Sequence, residues 1–215
     1  MDLMRYFFDV LPVDIHSTVR DTWFNKLIDH YTSPKRQCHG LNDLYNCLKH
    51  YESSKEFLKN PNAVFLALLF RHFEYDPKDT NCSEVNINHF KKFADESKLC
   101  NDLCDEVISL LKVASINSTD EHKIEGCFGY DDTHYFLDID MAVLGMSPTE
   151  YKNYINQVRK EYDFLDENSY KDLRLKILEN FLQIPNIYAT EFFRQKYELA
   201  ARSNIQKEIN VYKTI

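Results

Sequence analysis

The residues most able to do chemistry follow directly on the most apolar stretch of the chain. In NPNAVFLALLFRHFEYDP, Asn60 to Pro77, every residue from Ala63 to Phe70 is apolar, and Arg71, His72, Glu74 and Asp76 come next. Polar and charged groups at the end of a buried helix are costly unless they find partners. They therefore form a site or are the remnant of one, and we read them as a remnant. His16, His30, His50, His89, His122 and His134 show no mutual spacing that suggests a metal cluster. The six cysteines, Cys38, Cys47, Cys82, Cys100, Cys104 and Cys127, form no CxxC pair and no zinc-ribbon spacing. Cys100 and Cys104 share a helix face, as small buried thiols do. The chain has no nucleotide-binding loop, nucleophile elbow or Cys–His signature.

The elements that must position these residues read as helices. A segment hydrophobic all round has to be buried by its neighbours, so 61–72 is expected at the centre of the fold. Asn60 is its N-cap, Pro61 suits its first turn, and Pro77 ends any continuation. Upstream, Ile15, Val19, Trp23, Leu27 and Tyr31 recur at spacing four, which predicts an amphipathic helix over 14–31. A second helix is expected over 39–51, burying Leu41, Leu44, Tyr45 and Leu48. Helices are expected next over 81–95, with Val85, His89 or Phe90, and Phe93 inward, and over 99–114. Residues 115–130 hold two of the four glycines and read as a loop. A short apolar helix should follow and end at Gly145, a C-cap. Ser147-Pro148-Thr149-Glu150 is a capping box opening a helix to about 164. A helix over 168–182 and a last one, capped by Thr190 and running to about 211, complete the chain. No strand, repeat, low-complexity tract or linker stands out, so the expectation is one all-α domain over 1–215.

Composition narrows the function classes. The chain has 215 residues, 44% hydrophobic and 14% aromatic, with only 4 glycines and 6 prolines. That fits long helices with short connections better than a sandwich or a Rossmann sheet. A net charge of −8 and a pI near 5.5 give DNA no invitation, although local basic spots on an acidic protein can still meet RNA. No apolar run approaches a membrane span. The N-terminal MDLMRYFFDVLP is too short and too acidic for a signal peptide. A reduced, cytoplasmic protein is expected.

Several stretches resemble a family of predicted metal-dependent HD-superfamily phosphohydrolases. They are FLDIDMAVLG (Phe136 to Gly145), YKNYINQVRKEY (Tyr151 to Tyr162), the Pro185-x-x-Tyr188 turn and ELAARSNIQKEI (Glu198 to Ile209), with QCHGLND (Gln37 to Asp43) and FRHFEYDP (Phe70 to Pro77) upstream. The resemblance covers roughly 23–209 and implies an HD-like helical bundle. Enzymes of that superfamily hold a divalent metal with histidines, a His-Asp doublet and a late aspartate, so that the cation activates a water against a phosphate. In the family's register His39 keeps the first histidine, while the second histidine position is Asp43. The doublet reads Arg71-His72, and the late aspartate is Asp140 with Asp138 beside it. Asn81-Cys82-Ser83 stands where Asn-Glu-Glu is usual.

Arg71 is the decisive departure. A guanidinium is always charged and cannot ligate a metal. It could take the cation's place and pair with Asp140, Asp138 or Asp43. A one-residue slip would put His72 on the ligand position, with Phe73 replacing the aspartate, and the doublet is lost either way. The expectation is a vestigial pocket, His39, Asp43, Arg71, His72, Asp138 and Asp140, with no metal, no cofactor and no catalytic residue. Each member also has an ordinary reading: His39 as a helix-start histidine, Asp138 and Asp140 as capping or pairing groups.

Two function classes follow. In size and in its AT-rich-genome composition the chain is similar to microsporidian ribosome dormancy factors. That likeness implies a hibernation factor occupying the ribosomal exit site and excluding tRNA and mRNA. Its contacts would come from the basic spots Lys35 and Arg36, Lys91 and Lys92, and Lys207 with Lys213, since phosphate backbones reward local Lys and Arg. The alternative is a divergent metal-dependent phosphohydrolase acting on a nucleotide or small phosphate ester through His39, Asp43, His72 and Asp140.

Overall fold

The computed structural model describes residues 2–79, 81–116 and 118–214. It is all-helical, with no strand among the described residues. The backbone gathers into two compact units, Met1–Ile116 and Asn117–Ile215.

The first unit contains α1 (Leu3–Asp9), α2 (Ser17–Tyr31), α3 (Leu41–Ser54), α4 (Pro61–Arg71), α5 (Cys82–Glu96) and α6 (Asn101–Ala114). The apolar α4 is its centre, as its sequence requires. All eight residues from Ala63 to Phe70 are buried, none more than 4% exposed. The Asn60 side chain accepts from Ala63 N at 3.2 Å, and Pro61 opens the first turn. α3, α5 and α6 pack around α4. An aromatic cluster fills the space: Trp23 lies edge-on to Phe93, Phe70 stacks on Phe73, and Phe7 from α1 meets Phe93. The short α1 was not expected. Asp2 caps it, and Leu3 and Phe7 anchor it in the core. Two inward assignments need correction. Tyr45 is exposed on α3, and on α5 the buried position is Asn86 rather than Val85.

The second unit contains α7 (Asp120–Lys123), α8 (Asp132–Met141), a 3-10 turn (Ala142–Gly145), α9 (Pro148–Glu161), α10 (Glu167–Gln183) and α11 (Glu191–Thr214). The segment expected as a loop over 115–130 is irregular except for the single turn of α7, and its Asn117 lies outside the described residues. The Ser147/Glu150 capping box forms as its residues predict. Gly145 serves a different end from the expected C-cap. A Cβ there would stand 2.5 Å from the Tyr197 Cβ and 2.9 Å from the Tyr197 carbonyl oxygen, so its bare backbone lets α11 lie against the 3-10 turn.

Candidate functional site

In the first unit the candidate residues gather beyond the C-terminal end of α4. Arg71 is the last residue of that helix and His72 its C-cap; both are half-buried. The His39 ring stacks on Tyr75 at 3.9 Å and meets His72 edge-on at 4.7 Å. His39 Nδ1 lies 3.0 Å from Cys38 Sγ, and Asp43 sits half-buried in the first turn of α3. His39 and His72 thus lie together at one corner of the unit.

Two side chains hold that corner in shape. Arg36, expected at a nucleic-acid contact, is half-buried. It donates to the carbonyls of His72 and His39 and, at 2.6 Å, of Phe73, while its guanidinium lies over the Tyr31 ring. Here the cation satisfies main-chain acceptors that helix termination leaves over. The second side chain, Asn86 on α5, was not singled out from the sequence. Its Nδ2 donates to Arg71 O at 2.7 Å and Glu74 O at 3.0 Å, and its Oδ1 accepts from Glu74 N at 2.6 Å. An asparagine at an inward helix position is a weak signal in sequence, because its partners here are main-chain atoms 12 and 15 positions away.

In the second unit, Asp138 and Asp140 fall on α8, Asp138 fully buried and Asp140 half-buried. Asp138 Oδ1 accepts from Ala189 N at 2.8 Å. Its Oδ2 accepts from Thr190 N at 2.8 Å and Thr190 Oγ1 at 2.6 Å. Asp138 thus binds the entry to α11, while Thr190 Oγ1 accepts from Phe193 N as the expected cap. Burial pushes the Asp138 carboxyl up to about 7, against the pull of those donors. Next to it, the buried His122 has its Nε2 3.9 Å from Asp138 Oδ1. Burial first, and then the neighbouring His134, hold the His122 imidazole down at about 4.

The other motif residues join the same frame. Tyr188 of the Pro-x-x-Tyr turn donates to Met141 O at 3.0 Å. On α11, Arg194, Glu198 and Arg202 recur every four residues and so share a face. Arg194 donates to the carbonyls of Cys127, Tyr188 and Ala189. Glu198 accepts from Ile187 N and Tyr188 N, and Arg202 donates to Ile184 O and Pro185 O. Asn204 donates to Leu144 O and Met146 O. Deeper in the unit Arg174 forms a two-pronged pair with Glu208, at 2.7 and 3.1 Å, and Tyr151 adds a third bond to Glu208 at 2.6 Å. Within the second unit these side chains bond to one another's segments and hold main chain in place.

The metal the likeness implies meets a poor donor set. Arg71 brings a fixed positive charge to the doublet position, and no carboxylate flanks His72 in sequence. These residues do not fit the superfamily's resident cation. Of the proposed basic contacts, Lys35, Lys91 and Lys207 are exposed. Lys92 lies 3.9 Å from Glu96, and Lys213 pairs with Glu179 at 2.7 Å, both on the surface. The chain matches no family model, no curated protein and no solved structure.

Proposed function

We propose that this protein is a catalytically inactive, HD-like binding protein that associates with the ribosome in dormancy, occupying the exit site and blocking tRNA and mRNA. The observation that carries the non-catalytic part is Arg71, a permanent cation at the end of the buried helix where the superfamily has a metal-binding doublet. The use of Asp138 as a main-chain acceptor supports the same reading. Binding then falls to the surface, where Lys35, Lys91, Lys92 and Lys207 offer cations to phosphate. Arg36 is withdrawn from that group because its guanidinium serves main-chain carbonyls.

The test is pelleting of purified protein with vacant ribosomes at rising salt. Salt-sensitive binding, weakened by Lys35→Glu and by Lys91→Glu with Lys92→Glu, supports the reading. Binding indifferent both to salt and to these reversals removes it. Purified protein that carries a stoichiometric metal and a chelator-sensitive phosphatase activity would favour the divergent phosphohydrolase instead.

A further inference from the structure

Two histidines far apart in sequence converge on one carboxylate in the first unit. His30 stands in the last turn of α2, His89 on α5, and Glu74 in the turn after α4. His30 Nδ1 lies 3.3 Å from Glu74 Oε1, and His89 Nε2 lies 3.6 Å from the same oxygen. Phe73 forms the floor, its ring 4.2 Å from that of His30 and 4.9 Å from that of His89. Asn86 clamps Glu74 through both its main-chain N–H and its carbonyl, so this acid sits on a fixed stretch of backbone. The three side chains are 30%, 33% and 39% exposed.

We propose that His30, Glu74 and His89 form a binding site for a divalent transition-metal ion of the zinc class, separate from the family-register pocket. Two imidazoles and a carboxylate are the ligand types such ions prefer, and three protein ligands leave a fourth position for water. Donor atoms on one tetrahedral zinc stand about 3.3 Å apart, given bonds of about 2.0–2.1 Å. One nitrogen-to-oxygen edge already has that length at 3.3 Å, and the other is 3.6 Å. The nitrogen-to-nitrogen edge is the open one, with the ring centroids 6.2 Å apart, and binding requires the two partly exposed imidazoles to turn toward each other. The nearby cations are directed elsewhere: Lys26 Nζ sits over the Trp23 ring at 4.4 Å, and Lys92 lies 3.9 Å from Glu96. Hydrophobic floor, clamped acid and helix-borne imidazoles together make a supported site rather than a chance meeting of surface groups.

The test is titration of the chelator-stripped full chain with Co²⁺, followed by displacement with Zn²⁺. One equivalent should bind with the visible absorption of a nitrogen and oxygen site and without a thiolate charge-transfer band. His30→Asn, His89→Asn and Glu74→Gln should each weaken binding at least about tenfold, with the helical circular dichroism unchanged, while His16→Asn binds as the parent does. Should a variant lose its fold, NMR of the parent histidine rings decides: Zn²⁺ must shift the His30 and His89 resonances and leave His16 in place. No equivalent bound, equal affinity in the folded variants, a thiolate band, or unmoved His30 and His89 resonances would overturn the proposal.

Discussion

Asp138 and Thr190, 52 positions apart, are joined twice, main-chain N to Oδ2 at 2.8 Å and Oγ1 to Oδ2 at 2.6 Å. With Ala189 N on the other oxygen, this carboxylate ties α8 to the start of α11. Asp138→Ala leaves buried donors without an acceptor and should cost about 2–5 kcal/mol. Urea unfolding of the variant checks it, and a loss below about 0.5 kcal/mol would show that the tie is not structural.

The pH dependence of the same cluster has a definite sign. His122 is held at about 4 in the folded state against 6.5. Between those values the unfolded chain binds more protons, so the contribution of His122 to stability grows as pH rises through that window. Asp138 runs the other way: raised from 3.8 to about 7, its contribution is full below 3.8 and is lost as pH climbs toward 7. His122→Gln keeps a side chain able to complete the capping box with Thr119 and removes the histidine's titration together with its approach to Asp138. The stability of the parent minus that of His122→Gln should therefore increase from about pH 4 to about pH 6.5 and stay level above. Parallel curves across that range would refute the assignment.

Glu208 and Arg174 provide a second buried test. Removing one partner of a buried ion pair strands the other's charge, so Glu208→Ala should cost about 3–5 kcal/mol. Tyr151→Phe takes away one hydrogen bond and should cost about 1 kcal/mol. Chemical denaturation of both gives the order, and a Tyr151→Phe loss equal to that of Glu208→Ala would contradict the geometry.

Arg36 and Lys35, adjacent in sequence, should separate in stability. Arg36→Ala removes a cation shared among the carbonyls of His39, His72 and Phe73, and should cost about 1–3 kcal/mol. Lys35 is exposed, and Lys35→Ala should stay within about 0.5 kcal/mol. Equal melting temperatures for the two variants would mean that Arg36 is an ordinary surface cation.

Periodicity made the fold legible where one face, or every face, is apolar. Ala63 to Phe70 could only be a buried helix, and the Ser147 and Thr190 caps were readable because a cap is a local event. The register failed at Tyr45 and Val85, where an amphiphilic ring or a valine fits a helix surface as well as its core. α1 was missed because seven residues show barely two turns of pattern. The candidate site was legible only in part. His39 and His72 do meet beyond the end of α4, but Arg36, Asn86, Arg194, Glu198 and Arg202 bind main-chain atoms, which carry no sequence of their own. His30 and His89 come together through Glu74 only because α2 and α5 fold toward the same turn, and their spacing along the chain shows nothing of it.

The central claim, a dormancy protein acting on the ribosome through its surface, is tested most directly by sedimentation of the native protein. Lysate from cells that make it, run on a low-salt sucrose gradient, should show the protein in the monosome fractions and absent from polysomes, with release toward the top as salt is raised. Protein that stays at the top of the low-salt gradient would contradict the account.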